Sequence, residues 1–376
     1  MEQNKHIGQF LETLDKADLL ALDRIHKGKR AKRLPGIIMS TPGIGKTTTV
    51  SLWAQYKGYN LITLTPSTYG TDDILGLQSL VDGKLTRLTP SWYNQLVDYS
   101  KNGKRNVLFI DEISATNDFL QPPLYRLVFD RMLGEIPLPE NTLIVSAGNY
   151  SADLNNSFKM TAPLVNRFMI LNILNEDIDL RECVEEDIDD MSDDELPEFL
   201  GITKTPKRKW DYTRFKEWVL DNLSEFRLGK AEYTDETEMG GLLGFISPRI
   251  FSFSLKFAEV FMSEFNSPIW MRIVGDSLGL SNKREGQPIR NVLQVHAPEF
   301  EAKVVKSVAT FESLRADILN YGLTKDSLSA LSKLIDGATL QNTTNQDMAY
   351  FADIYKAYPQ SEDLAYLNRR LISKMS

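Results

Sequence analysis

Lys46, Thr47, Asp111 and Glu112 are the residues here whose types and settings could handle a phosphate. Gly36 to Thr49 reads Gly-Ile-Ile-Met-Ser-Thr-Pro-Gly-Ile-Gly-Lys-Thr-Thr-Thr: a short apolar strand, a glycine loop, then a helix start. Gly43 and Gly45 let the backbone turn with no Cβ in the way, so successive N–H groups can point inward at the β-phosphate of a nucleotide. The cradle runs through Ser40, Thr41, Pro42, Gly43, Ile44, Gly45, Lys46, Thr47 and Thr48. The helix beginning there turns its positive dipole end to the phosphates, Lys46 reaches the β- and γ-oxygens, and the Thr47 hydroxyl is placed to ligate magnesium. The usual pattern opens on glycine where this chain has Ser40. That glycine mainly relieves the strand-to-loop turn, which a small serine tolerates.

Val107-Leu108-Phe109-Ile110 is a continuous apolar run, as a strand buried on both faces requires, and it ends in Asp111-Glu112. Ligands of parallel sheets bind beyond the C-terminal edge, so these acids belong beside the cradle. Asp111 then serves the magnesium shell, and Glu112 polarises a water for attack on the γ-phosphate, which argues for hydrolysis over transfer to a substrate. Thr142 to Ala147 is another buried run, closed by Gly148-Asn149. Asn149 is suited to hold the attacking water or touch the γ-phosphate; the plain alternative is an asparagine in a local turn. Arg167 stands among Leu164, Val165 and Phe168, which anchor a short helix and leave its guanidinium projecting. Further on, Ser247 can cap a helix whose first position is Pro248 and whose first turn holds Arg249. A cation there opposes the helix dipole unless an anion is nearby.

The elements that must position these groups are legible in order. Ile7, Phe10, Leu11, Leu14, Leu19, Leu20 and Leu22 recur at helical spacing, predicting an N-terminal helix packed on the nucleotide domain. Lys27, Lys29, Arg30, Lys32 and Arg33 read as its solvated end. Thr48 to Gln55 is the first core helix and Leu61 to Leu64 the second strand. Asp82-Gly83 between short runs signals a type I′ hairpin, read here as inserted into a helix that resumes at Trp92, with an ordinary surface hairpin as the alternative. Pro122 to Arg131 reads as one helix with prolines in its first turn, Met132 to Pro139 as a turn-rich segment, and Met169 to Ile173 as a strand. Glu176 to Glu198 is crowded with carboxylates and poor in apolar residues, so it reads as a solvated linker or a short exposed helix, with an acidic dock as the functional alternative and Lys204, Lys207, Arg208 and Lys209 able to fold back on it. Helical patterns over Ile269 to Leu278, Val304 to Ile318 and Leu328 to Ile335 complete a helical C-terminal part, packed by Phe351, Ile354, Tyr355 and Tyr358.

With 376 residues, 42% hydrophobic and 25% charged, the chain suits two or three globular domains with sizeable cores. A net charge of −8 weighs against bulk binding to nucleic acid or an anionic membrane. The lone Cys183 excludes an internal disulfide and fits a reducing compartment, and no run is long enough to span a bilayer; cytoplasmic residence is the resulting expectation. His6, His26 and His296 have no ligand spacing, so zinc or histidine-based nucleophilic catalysis has no support.

Together these stretches resemble the AAA+ ATPases, and the nearest branch looks like the MoxR-type group. Ser40 to Thr47 is similar to Walker A, Val107 to Glu112 to Walker B, Asn149 to sensor 1, Arg167 to the arginine finger and Ser247-Pro248-Arg249 to the sensor 2 motif. The hairpin at Asp82-Gly83 is similar to the insert in the second helix of that clade, and Leu133 to Pro139 to its pre-sensor 1 hairpin. The resemblance implies an α/β three-layer sandwich on a parallel five-stranded sheet, an α-helical lid and a helical C-terminal extension. It divides the chain into 1–35, a core at 36–175, an acidic insert at 176–209, a lid region at 210–300 and an extension at 301–376. It implies ATP with magnesium, catalytic roles for Lys46, Glu112, Asn149 and Arg167, nucleotide contact by Arg249, and metal ligation by Thr47 and Asp111. It also implies a ring of copies, usually a hexamer, that remodels an unidentified protein partner. A nucleic-acid motor or restriction-type GTPase of the same superfamily, and a nucleotide-locked interaction module, are the alternatives; acidic charge weighs against the first and Glu112 against the second.

Overall fold

The computed structural model describes residues 2–116, 119–150, 160, 162–174, 177–178, 191–203, 209–222, 247–282, 290–301, 310–337 and 343–375. They fall into two compact units: Met1–Thr203, Lys216–Phe261 and Ser267–Ala297 make the first, and Lys204–Phe215, Met262–Asn266 and Pro298–Ser376 the second.

The first unit is built on strands whose sequences carry no polar alternation. β1 (Gly36–Ser40) and β5 (Asn106–Ile110) are buried at every position, as is β9 (Met169–Asn172), while β8 (Thr142–Asn149) is buried until its last residue. β2 (Asn60–Leu64), at one edge, is only partly covered. The order is β2-β5-β8-β1-β9, with all four pairings parallel. Leu64 pairs with Ile110, Ile110 with Ser146, and Ser40 with Asn149, so the loops leaving four strands emerge along one edge.

Both sheet faces are covered, giving three layers. On one, Ile37, Met39, Leu108, Ile110, Ile144 and Ile170 share a core with Ile74 of α3 (Thr71–Leu75), Trp92 and Leu96 of α4 (Ser91–Lys101) and Leu124 of α5 (Gln121–Tyr125). The alternate residues Ile38, Val107, Phe109, Leu143, Val145 and Leu171 are equally buried on the other. There α1 (Glu2–His26) comes so close to β1 that a Cβ on Gly36 would lie 2.1 Å from Leu14 Cδ1. α2 (Lys46–Tyr56) follows β1 and buries Val50, Trp53 and Ala54.

Between α3 and α4 stands the expected hairpin, β3 (Leu77–Val81) and β4 (Lys84–Leu88). Asp82 and Gly83 have φ of 52° and 75°, the paired positive values of a type I′ turn. Its base is pinned by Gly76, at φ 78°, where a Cβ would fall 2.0 Å from the Leu88 carbonyl oxygen.

Three expectations need correction. Arg33 is not part of a solvated helix end: it is buried, with its Nε 2.5 Å and Nη2 2.6 Å from the two Asp18 oxygens, and it donates to the Glu140 and Thr142 carbonyls. Arg105 bridges Asp15 and Asp18, so the pairs tie α1 to the start of β5. Burial alone would raise the Asp18 pKa; the Arg33 hydrogen bond and the charges of Arg33, Arg105 and Arg131 outweigh it and hold that pKa below the usual range. Secondly, Pro122 to Arg131 is not one α-helix, because α5 ends at Tyr125 and Arg126–Asp130 continues as a π-helical turn stopped by Arg131 at φ 59°. Met132–Leu133 (β6) and Ile136–Pro137 (β7) then pair as a small hairpin. Thirdly, the end of the acidic stretch is not wholly exposed: Leu196–Phe199 is a helical turn, in keeping with the short-helix reading, but both its end residues are buried. Residues 179–190, with Cys183, and Lys204, Lys207 and Arg208 lie outside the described residues; Lys209 pairs with Glu301, 3.1 Å away.

Arg167 follows α6 (Ala162–Val165), and the expected cap of the Arg249 helix is present as Pro248–Glu264, with Ile250 N 3.4 Å from Ser247 Oγ. The segment leading into it, 223–246, is outside the described residues, as are 283–289 and 302–309. In the second unit, helices Phe311–Tyr321, Lys325–Gly337, Asn345–Ala357 and Glu362–Met375 enclose a core of Phe311, Leu314, Ile318, Leu331, Ile335, Phe351, Ile354, Leu364, Leu367 and Leu371. Among the described residues no helix is long and apolar enough to cross a membrane.

Candidate functional site

The glycine loop between β1 and α2 is open. Gly43 and Gly45 have φ of 80° and 83°, a region costly to any residue with a Cβ, and nothing lies within 4 Å of where a Cβ would stand. Gly45 is the residue before α2 and, being a glycine, offers no side-chain cap; the start of a helix directs N–H groups toward an anion.

Lys46 is drawn inward across the strand ends. Its Nζ donates to Ser40 Oγ at 2.6 Å, to Asn149 Oδ1 at 2.7 Å and to the Thr41 carbonyl at 3.2 Å. Ser40 and Asn149 are register partners on β1 and β8, so parallel pairing brings them together under the ammonium. Ser40 therefore does more than tolerate a turn: its buried hydroxyl accepts from Lys46 and donates to the Thr41 carbonyl at 2.6 Å. Glycine there could make neither bond.

The acids arrive from β5. Asp111 accepts from Thr47 Oγ1 at 2.6 Å and, through its other oxygen, from the Glu112 N–H at 2.9 Å. Glu112 sits in left-handed backbone at φ 54°, ψ 34°, a conformation that disfavours a non-glycine residue by about 1–2 kcal/mol. Its carboxylate accepts from Ser67 Oγ at 2.8 Å, just past the end of β2. Ser114, in the turn after Glu112, accepts from Asn149 N–H at 2.8 Å and so ties the ends of β5 and β8 together. Under the loop, the buried Tyr150 hydroxyl contacts the Met39 and Ile173 carbonyls at 3.0 and 3.1 Å.

A second group forms on α5 and its π-helical turn. Arg167 Cζ lies 3.6 Å from the Tyr125 ring centroid and 4.7 Å from that of Phe129, and Nη2 donates to the Tyr125 hydroxyl. Arg249 Cζ lies 4.0 Å from the same Phe129 ring. Burial lowers the Arg167 pKa; Tyr125 opposes the shift and the Arg249 charge adds to it. The predicted residues are thus gathered in two places: Ser40, Lys46, Thr47, Asp111, Glu112 and Asn149 around the loop, Arg167 and Arg249 against Phe129.

Sequence reasoning did not single out Ser67, Ser114, Tyr125 or Phe129. Ser67 had a usable signal, being a hydroxyl residue three positions beyond a strand that shares the sheet edge. The two aromatic residues had none, because their partners come from 42 and 120 residues away along the chain.

No family model matches this chain, and no curated protein matches its sequence. Among solved structures, a provisionally assigned ATPase from Cytophaga hutchinsonii is 16% identical over 79% of this chain and 91% of its own, with a TM-score of 0.39. A point variant of RuvB from Thermotoga maritima is 22% identical over 43% of this chain and 45% of its own, with a TM-score of 0.25. Neither likeness is strong enough to carry fold or function across, and the chemistry must come from this chain's own residues.

Proposed function

We propose that this chain binds and hydrolyses magnesium-ATP as an AAA+ ATPase of MoxR-like type. The observation that carries the reading is the convergence at Lys46: an open glycine loop, with Ser40 and Asn149 holding its ammonium at 2.6 and 2.7 Å and the Thr47–Asp111 pair at 2.6 Å beside it. Lys46 and the loop N–H groups bind the β- and γ-phosphates, and the start of α2 adds its dipole. Thr47 and Asp111 are hard oxygen donors in contact with each other, the set magnesium prefers; they would hold the ion, which offsets phosphate charge when bound. Glu112, oriented by Ser67, takes the proton of the attacking water as that water adds to the γ-phosphorus and the bond from that phosphorus to the β–γ bridging oxygen breaks, releasing ADP and phosphate; Asn149 orients the water or the phosphate.

Arg167 enters the site of a neighbouring copy, in a ring that is usually a hexamer, and stabilises charge on the transferring phosphoryl group. Ring closure then couples hydrolysis to remodelling of a partner protein. This last part rests on the resemblance to the family and on no residue described here.

The test is ATP binding and turnover by the parent chain and by Glu112→Gln. The variant should bind ATP like the parent and lose about 10²–10⁴ in kcat; steady turnover at the parental rate would remove the role given to Glu112. Mixing Arg167→Ala with Lys46→Ala subunits should restore part of the activity that each lacks. Complete failure at ring-forming concentrations would rule out action between copies.

A further inference from the structure

Arg167 and Arg249 come from places 82 residues apart, yet both guanidiniums rest on one aromatic side chain, with Cζ 4.7 Å and 4.0 Å from the Phe129 centroid. Like charges brought together repel, so something must hold them. A guanidinium on the face of a benzene ring is attracted by the ring quadrupole, and a phenylalanine has two faces and an edge to offer without competing hydrogen bonds. Arg249 has no carboxylate within ion-pair distance among the described residues, and its buried Nε has no hydrogen-bond partner there. The ring is its one described anchor.

The backbone carrying Phe129 is also unusual. Leu124, Leu127 and Val128 fill the core, which leaves Tyr125 and Phe129, four apart, half-buried on the neighbouring side. The π-helical turn Arg126–Asp130 sets the pitch between them, and Tyr125 also holds Arg167, through its ring and hydroxyl. Widened turns of this kind recur where a helix must aim side chains at a functional task.

We propose that Phe129 is a positioning residue: its ring, set by the π-helical turn, keeps Arg167 and Arg249 together so that they act as one unit during phosphoryl transfer. The inference rests on the reading that both arginines serve a bound nucleotide, and it adds what makes them a pair.

Kinetics of ATP hydrolysis in the full chain test it. In the parent, Arg167→Ala and Arg249→Ala should each lower kcat, and the double variant should fall no more than about threefold below the worse single, as for groups that act together. Phe129→Leu and Phe129→Met, which keep an apolar side chain but remove the ring, should each lower kcat about tenfold with KM within about twofold, and in those backgrounds the two arginine changes should no longer be redundant. Phe129→Trp, which keeps a ring face, should stay within about threefold of the parent. A merely structural phenylalanine would not produce this split between leucine and tryptophan. The inference is overturned if either ring-less variant melts like the parent and turns over within about twofold of it while the single arginine variants are impaired. If neither arginine variant is impaired, the nucleotide role of the arginines itself falls, a result distinct from the first.

Discussion

Two charged clusters at opposite ends of the same strands are built on opposite rules. Near the start of β5, Asp15 and Asp18 meet Arg33 and Arg105 directly, nearly sealed from water, with opposite charges in contact. Around the glycine loop the charged groups hydrogen-bond to neutral ones: Lys46 donates to Ser40, Thr41 and Asn149, Asp111 accepts from Thr47, and Glu112 accepts from Ser67. The first arrangement satisfies its charges and fastens α1 to the sheet. The second keeps a cation and two anions side by side, each oriented by a dipole that a ligand can displace or share. The first cluster pairs opposite charges directly; around the loop, hydrogen bonds to neutral groups orient the charged side chains that the proposed function assigns to a substrate.

This contrast can be broken from either side. Lys46→Ala should abolish ATP binding, with a loss beyond about a hundredfold in Kd by calorimetry, while the melting temperature stays close to the parent's; unchanged affinity would contradict the cradle. Arg33→Met should do the reverse: it leaves Asp18 short of a buried partner, should cost about 3–5 kcal/mol in denaturant unfolding, and should leave ATP affinity intact. Acid titration sharpens the point. The folded Asp18 pKa is depressed, so its contribution is present above the unfolded carboxylate range and is lost as pH falls through the lower folded value. In Arg33→Met that depression shrinks, and acid unfolding followed by circular dichroism should move to higher pH. Smallest of all, Ser40→Gly restores the commoner residue but removes one of the Lys46 acceptors. ATP affinity should weaken by about ten- to a hundredfold, the worth of one hydrogen bond to a charged group; tighter binding would show that the serine is only tolerated.

The parts legible in the sequence were those in which neighbours along the chain do the work. Val107 to Ile110 announces a strand covered on both faces, Asp82-Gly83 its turn, and Gly43 to Thr47 its loop, because each depends on local composition. Local pattern failed where a distant partner decides. Arg33 reads as one more basic residue after a helix until Asp18 is folded against it. Leu196 and Phe199 read as the tail of a solvated acidic stretch, yet both are buried. The π-helical turn at Arg126–Asp130 was also hidden, since its residues suit an ordinary helix and the widening is decided by tertiary packing.

The register of β1 on β8 has a wider meaning. Two of the three acceptors that steady the Lys46 ammonium face each other only because Ser40 is aligned with Asn149. A shift of one residue between those strands would swing Asn149 to the far face of the sheet relative to Ser40 and take that acceptor from the lysine. Under the proposed function, nucleotide competence doubles as an inspection of the finished sheet: a misaligned copy would hold its lysine less well and capture ATP more weakly, so ligand capture would favour correctly assembled molecules.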